Sequence, residues 1–496
     1  MNDLLKEYQE RMFNISAYEL AVTTVNLDSQ TIAPPKGSDY RNDRLAYLAG
    51  ELYSLQTDER LFVLIKELID RDDTNQDIKK ILYWQLKNLE NMRCIPKDFY
   101  VEYSKLQMES QQNWETAKRN NDYGLFAPYL EKIIVMTKKI LEYRQGELKG
   151  YDILLDDYEP GMNTEKYDKF FDLIREKLVP LIQKINHSPQ IDDSFIYKNY
   201  PIYKQKIMMN KILEYIDFDF AAGVLLESEH PFTESISKYD NRITTHYYEN
   251  NLISSMYSVI HEAGHANYNY SVRDDIAQTF CFNNMSSGMH ESQSRLFENY
   301  LGRNYHFWDN LFPTLKELFP EQLAQTDQDK FIRAVNKVTP SLIRTEADEL
   351  TYPLHILIRY EIEKGLFDGS IETKDLENIW NAKYKQYLGL TVPNAAEGIL
   401  QDVHWSDGSF GYFPTYALGS SYAAQFMQAM SKDLDIDKCL AENEFSLLKK
   451  WLREHIHQYG GLYSPQQQIE IACGEKYNPQ YYIDYLINKY SALYNL

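Results

Sequence analysis

Apolar residues recur every three or four positions through most of the first 220 residues, the spacing that lines one face of an α-helix. The pattern predicts helices over Leu4–Ser16, Leu45–Ile69, Asp77–Asn91, Phe99–Arg119, Tyr129–Gly146, Thr164–Asn186 and Ile202–Phe218. Pro34-Pro35, Asp72-Asp73, Pro96 and Asn120-Asn121 mark breaks between them. The character changes near Ala221. Gly223–Ser228 and Asn241–Tyr248 are short, rich in β-branched and aromatic residues and bounded by turn residues, and they predict strands of a small antiparallel sheet. Helical spacing returns at Leu252, Met256, Val259, Ile260 and Ala263, with Asn250 or Asn251 placed to cap the start. Another apolar helical face, Leu296, Phe297, Tyr300 and Leu301, follows a cap at Ser286 or Ser287. Further helices are expected over Asp327–Asn336, Ser341–Lys364, Thr373–Tyr387 and, after a looser aromatic stretch, Ser420–Lys432 and onward. The fold class read from this is mainly α with one small sheet. No repeat, low-complexity segment or Gly/Ser linker divides the chain, so one domain is expected over 1–496, with a helical N-terminal part to about 220 and a second part from about 221.

Composition narrows the class. A net charge of −21 argues against nucleic acid or an anionic membrane as partner, while leaving room for a basic pocket inside an acidic shell. No apolar run reaches the roughly 18 residues that a membrane span needs. Cys94, Cys281, Cys439 and Cys473 are far apart with no paired spacing, as reduced thiols of a cytoplasmic protein would be. The first residues, Met1 to Glu7, lack a basic n-region and an apolar h-region, so no signal peptide is expected. The 41 tyrosines are read as packing at helix surfaces. Eight of the eleven histidines lie between 230 and 404, which places the chemistry in the second half.

The densest chemistry is His261-Glu262-Ala263-Gly264-His265. Two histidines four apart on a helix lie one turn apart on one face, so both rings can reach one metal ion. Glu262 sits beside that ion without being required to bind it, the place for a general base acting on water. Gly264 costs the helix about 1 kcal/mol against alanine, and a glycine there lets another backbone pass close. The pentapeptide alone leaves open a buried amphipathic helix with two hydrogen-bonded histidines, so a third ligand decides. A catalytic zinc takes three protein ligands and keeps one position for water. Ser286–Asn299 offers Glu291 and Glu298. Glu291, near the helix start, is favoured; Glu298 is nearly two turns further on. His290 is a rival, but adjacent helical residues point about 100° apart, so His290 and Glu291 would rarely share one ion.

Six motifs extend this pattern: His230-Pro231-Phe232; Asp240, Arg242 and Thr244; the His261/His265 pair; His290-Glu291-Ser292-Gln293; Ile343-Arg344 with Ala347-Asp348; and Gly398, Gln401-Asp402, His404-Trp405. Gly411–Tyr416 belongs with them. In this the chain resembles the carboxypeptidase Taq family of metallocarboxypeptidases. The resemblance covers residues 230 to 405 in motif detail and only a run of helices before 221. Leu27-Asp28 stands where the family often has Trp-Asp, and His246 where it often has Arg. The resemblance implies a large helical metallopeptidase fold with a deep groove, like neurolysin-type peptidases. It implies release of single residues from peptide C-termini with broad specificity, by a homodimer using zinc or sometimes cobalt. It also implies His261, His265 and Glu291 as metal ligands and Glu262 as the catalytic glutamate.

Remaining roles follow from what the reaction needs. The oxyanion needs a donor besides the metal, and His404 and Tyr416 are the candidates. A free substrate carboxylate is best read by an arginine fork, at Arg344 or Arg242. Arg344 is equally placed to brace Asp348 at i+4 if both lie on one helix. Asp348, Glu298 and Asp402 are candidates to accept the second N–H of the metal histidines. His230 and His290 either shape the groove or serve structure. Two other readings stay open here: an oligopeptidase or dipeptide-releasing enzyme on the same scaffold, and a non-catalytic peptide- or metal-binding protein, against which an intact Glu262 argues.

Overall fold

The periodicity of the first 220 residues folds as helices in the computed structural model, which describes residues 2–144 and 146–496. Thr164–Asn186 is a helix with the expected limits, capped by the Asn163 side chain on the Lys166 N–H. The first helix is much longer than Leu4–Ser16, running Asn2–Thr31. The stretch Leu45–Ile69 is two helices, Ser38–Gln56 and Glu59–Ile69. Leucine spacing continues across the break, but Asp58 accepts the Leu61 N–H and starts a new helix there. The helix expected over Tyr129–Gly146 runs Tyr123–Tyr143; Gln145, inside the expected range, lies outside the described residues.

The sheet differs from the expected antiparallel pair. It has three strands in the order Gly223–Glu227, Asp240–Thr245, Thr233–Ser237, and the first two of these run parallel. The strand missed in the sequence, Thr233–Ser237, pairs antiparallel with Asp240–Thr245. The chain reverses once before the hairpin and once within it, so Gly223–Glu227 pairs in parallel with the outer edge of the hairpin's second arm. Thr233–Ser237 carries polar residues at alternate positions and has no apolar face to announce it.

A second difference bears on function. The helix expected from Ser341 begins only at Tyr352 and runs to Asp368. Before it, Arg344–Glu346 is a single 3₁₀ turn. Asp348 accepts the N–H groups of Thr339, Leu350 and Thr351 and the Thr351 hydroxyl, all within 3.0 Å, and so fixes a turn ahead of the helix rather than lying within one. The segment from 411, by contrast, enters a helix early, at Phe413–Met430.

One large apolar core joins residues from Tyr103 to Tyr494. The first helices keep a small core of their own around Leu61, Leu64, Ile65 and Leu82. They join the body through Ile81, packed on Val272, Ile276 and Phe282, and through Trp84, whose indole N–H reaches the Leu462 carbonyl at 3.2 Å. Between this arm and the body runs a cleft of about 1560 Å³. The helices Asn2–Thr31 and Gln76–Arg93 form one wall, and the edge strand Thr233–Ser237 and residues 274–285 the other; Asn269 and His290 lie along it. Among the described residues no helix is long and apolar enough to cross a membrane.

Candidate active site

The His261 helix runs Leu252–Ser271, opened by Asn251 accepting the Ser254 N–H at 3.3 Å. The Glu291 helix runs Ser287–Arg295 from a Ser286 cap and passes into a π-helical turn, Leu296–Leu301, that carries Glu298. Two glycines let these elements close up. A Cβ on Gly264 would lie 2.6 Å from the Gln293 carbonyl oxygen, and one on Gly419 would lie 2.7 Å from Cβ of Glu291. The Glu291 helix is therefore wedged between the His261 helix and Phe413–Met430, with no room for a methyl group on either side.

This wedging brings together residues that the sequence keeps 26 to 30 positions apart. Nε2 of His261 and Nε2 of His265 lie 3.6 and 3.5 Å from Oε2 of Glu291. Ligand atoms of the three residues lie within 4.8 Å of one another, as a metal site requires. The donor chemistry fits a metal. Glu298 takes the His261 Nδ1–H at 2.9 Å, so Nε2 of that ring presents a lone pair. That lone pair faces a carboxylate oxygen, an arrangement that asks for a cation. Burial disfavours a charged His261, yet the charges of Glu291, Glu298 and Glu262 hold its proton affinity above the usual imidazole range. The same field would hold a divalent cation.

Arg295, i+4 from Glu291, donates Nε to Glu291 Oε1 at 2.6 Å and Nη1 to Glu298 Oε2 at 3.0 Å. The other oxygen of Glu291, Oε2, accepts the Ser294 hydroxyl at 3.0 Å and is turned toward the histidines. Burial alone would raise the pKa of Glu298, but Arg295, His261 and Arg303 outweigh it and hold the carboxyl down at about 2. Glu291 is held lower still, burial being overcome by Arg295 and the two histidines. Of the three carboxylates considered behind His261 and His265, only Glu298 stands there; Asp348 holds the turn before Tyr352 and Asp402 binds arginines. Behind His265 stands His290 instead, with the two Nδ1 atoms 2.5 Å apart. Glu262 is buried, and the Thr233 hydroxyl donates to its Oε2 at 2.6 Å. The Glu291/Arg295 spacing was available as a sequence signal; nothing in the sequence marked Thr233.

A second cluster adjoins the first. Nε2 of His404 lies 3.2 Å from the Tyr416 hydroxyl, while its Nδ1 is buried without a partner. Burial, helped by Arg344, pulls the His404 pKa down to about 4, so the ring is neutral near pH 7. Tyr412, not singled out from the sequence, packs edge-on to Tyr416 and is pushed up to about 12 by burial and by the charge of Glu291. The Arg344 guanidinium lies 4.9 Å over the Tyr416 ring. It is buried and pairs with Asp402, through Nε at 3.0 Å and Nη2 at 2.9 Å, and donates Nη1 to the Tyr352 hydroxyl. The brace to Asp348 is absent, because no helix spans the two residues. The other oxygen of Asp402 holds the fully buried Arg359, a residue the sequence reading missed. Two arginines thus share one carboxylate, leaving one positive charge over. Arg242 does not join them: it sits in the sheet, half-buried, in a two-pronged pair with Asp240. His230 is exposed, and His246 binds the Ser228 carbonyl at 2.9 Å.

The start of the Glu291 helix carries a test of its own. Glu159, fully buried, accepts the Gly288 N–H and the Tyr422 hydroxyl, each at 2.9 Å, and burial raises its pKa to about 7. A carboxyl raised in the folded state contributes stability that is full below its unfolded value near 4.5 and is lost as pH rises through 7. Glu159→Gln removes that titration. The melting temperature of the variant is expected to rise relative to wild type as pH goes from about 4.5 to about 7. Scanning calorimetry across that range checks it, and parallel curves would refute the assignment.

Comparison with known proteins agrees with this geometry. Residues 7–490 match the family described as carboxypeptidase Taq (M32) metallopeptidase. Carboxypeptidase 1 of Bacillus subtilis (strain 168) is 42% identical over 494 residues, covering 99% of each chain. Thermostable carboxypeptidase 1 of Thermus thermophilus is 36% identical over 484 residues and 94% of each. The crystal structure of M32 carboxypeptidase from Deinococcus radiodurans R1 superposes with a TM-score of 0.96 at 32% identity, over the whole of both chains. A match along nearly the full chain, with a His/His/Glu group beside a buried glutamate, leaves one conclusion: the chain belongs to the carboxypeptidase Taq family and is a metallocarboxypeptidase.

Proposed function

We propose that the enzyme, one domain over 1–496, releases single residues of broad type from peptide C-termini, with Glu262 as general base and a metal held by His261, His265 and Glu291. The observation that carries this is three electron-pair donors facing one another beside Glu262, next to a buried arginine with unused N–H bonds. Two imidazoles and one carboxylate suit zinc, and also cobalt. When bound, such an ion supplies the Lewis acidity that acidifies water and polarises a carbonyl. Glu262 takes the proton of the attacking water and passes it to the leaving amine. His404 and Tyr416 donate to the oxyanion of the tetrahedral intermediate, and the neutral His404 with a free Nδ1 suits that role. The wide cleft reaches Thr233 and His290, the neighbours of Glu262 and His265, and its edge strand supports an extended peptide as occupant. The proposal includes a cytoplasmic homodimer; the exposed Ile32, Tyr40 and Tyr47 on the first helices offer apolar surface for it.

Arg344 reads the substrate carboxylate in this scheme, rather than Arg242, whose fork is already filled by Asp240. Its Nε–H goes to Asp402 and one Nη1–H to the Tyr352 hydroxyl, with Nη2 2.9 Å from the same Asp402 oxygen, which leaves N–H bonds on the terminal nitrogens for a carboxylate. Mass spectrometry of a peptide with a free C-terminus and its amidated twin, with and without chelator, tests the reaction. Stepwise single-residue loss from the free peptide, with only poor cleavage of the amidated twin and both abolished by chelator, is the expected result; internal cleavage or dipeptide release would count against it. Hydrogen bonds to charged groups contribute about 1.5 to 3 kcal/mol, so Arg344→Ala should cost roughly 10- to 150-fold on the free peptide. On the amidated peptide it should cost little. Some fall in melting temperature is expected in any case, because Asp402 loses a partner. Equal losses on both peptides would remove Arg344 from substrate recognition.

A further inference from the structure

The two imidazoles that face Glu291 are held from behind in different ways. Behind His261 stands a carboxylate. Behind His265 stands a second imidazole, and two ring nitrogens 2.5 Å apart need one proton between them. Nothing in that contact says which ring owns it. The ownership is settled several links away, in the β-hairpin.

Asn241 donates its amide N–H to the Lys238 carbonyl at 2.8 Å, so its Oδ1 is turned outward as an acceptor. That oxygen takes the Ser235 hydroxyl proton at 2.6 Å. Ser235, its one proton used, accepts from Nδ2 of Asn269 at 2.6 Å. Oδ1 of Asn269 then faces Nε2 of His290 at 3.1 Å, a hydrogen bond only if Nε2 carries the hydrogen. A neutral imidazole has one N–H, so Nδ1 of His290 is bare and accepts from Nδ1 of His265. Nε2 of His265 is left with its lone pair, 3.5 Å from Oε2 of Glu291.

We propose that Asn241, Ser235, Asn269 and His290 form a relay of hydrogen bonds that sets the tautomer of His265 from the β-hairpin, which makes His290 and Asn269 positioning residues for the metal. This rests on the reading of His265 as a metal ligand. The relay is neutral at every link, and that has a use. Glu262, Glu291 and Glu298 already crowd the site with negative charge. A further carboxylate behind His265 would weaken the Lewis acidity of a bound ion; an imidazole and an amide orient the ring without adding charge. Register matters too: Ser235 lies directly opposite Asn241 in the hairpin, so the relay depends on that pairing.

The test is zinc affinity of the apo protein, measured by competition with a chromophoric chelator. Outer-shell partners are typically worth about 10- to 100-fold in metal affinity, the loss expected of both His290→Leu and Asn269→Leu. His290→Gln keeps one acceptor and one donor in the chain and should retain most of the affinity. Ser235→Ala cuts the relay without touching a histidine and tests it if the larger changes unfold the protein. Nitrogen NMR of histidine-labelled apo protein should show His265 as the Nδ1–H tautomer in wild type and as a mixture in Asn269→Leu. Wild-type zinc affinity and a single tautomer in both Asn269→Leu and Ser235→Ala would overturn the relay while leaving the metal site standing. A wild type that takes up no zinc would overturn the metal reading, and the relay with it.

Discussion

Glu262→Gln is expected to keep its metal and to lose between about 10² and 10⁴ of turnover, the usual contribution of a general base. The substitution suits the site. The amide oxygen can still accept the Thr233 hydroxyl that now donates to the carboxylate at 2.6 Å, so the side chain stays in place and only its ability to take a proton is lost. Burial of Glu262 leaves bulk water poorly placed to substitute for it. Turnover under saturating peptide, with metal content measured on the same sample, checks the expectation. More than about a tenth of wild-type activity in the variant would show that another group takes the proton.

Glu291→Gln and Glu298→Gln should separate a ligand from its support. Both carboxylates, Glu291 buried and Glu298 partly buried, are bound to Arg295, and both touch a histidine of the site. They differ in what they face. Glu291 turns Oε2, the oxygen Arg295 leaves unpaired, to Nε2 of both histidines, so Glu291→Gln is expected to leave the protein without metal after dialysis and without activity. Glu298 meets only Nδ1 of His261, and its loss frees that ring to turn or change tautomer. Glu298→Gln should therefore still bind metal, about 10- to 100-fold more weakly. Metal analysis by mass spectrometry decides. Full retention in Glu291→Gln together with loss in Glu298→Gln would reverse the assignment.

Several features were legible because they are local. Histidines four apart on an apolar-faced helix share a side whatever the rest of the chain does, and a capping serine shortly before Glu291 marks the start of a neighbouring helix. The expectation that Gly264 lets another backbone pass matches the close approach of Gln293 and Ser294. Where the sequence reading failed, a side chain had redirected the backbone. Asp58 splits a leucine-periodic stretch, and Asp348 delays a helix until Tyr352. The second difference bears on function: a helix through Arg344 would offer it Asp348 as a brace, whereas the turn sends it to Asp402, which the sequence offered only as a support for the histidines.

By itself the sequence determined the helical class, the His261/His265 face, Glu262 beside it and the short list of carboxylates and arginines around them, because each depends on spacing along one element. It favoured Glu291 over Glu298 as the ligand but could not place the partners behind these groups. Which carboxylate backs His261, which imidazole backs His265, that Arg295 turns one oxygen of Glu291 inward, and that two arginines share Asp402 were decided only by tertiary structure. The physical reason is that hydrogen bonds act over about 3 Å, and separation along the chain says nothing about that distance once helices pack. Ser235 and Asn269 are 34 residues apart and meet at 2.6 Å, a contact made by the packing of the hairpin on the His261 helix.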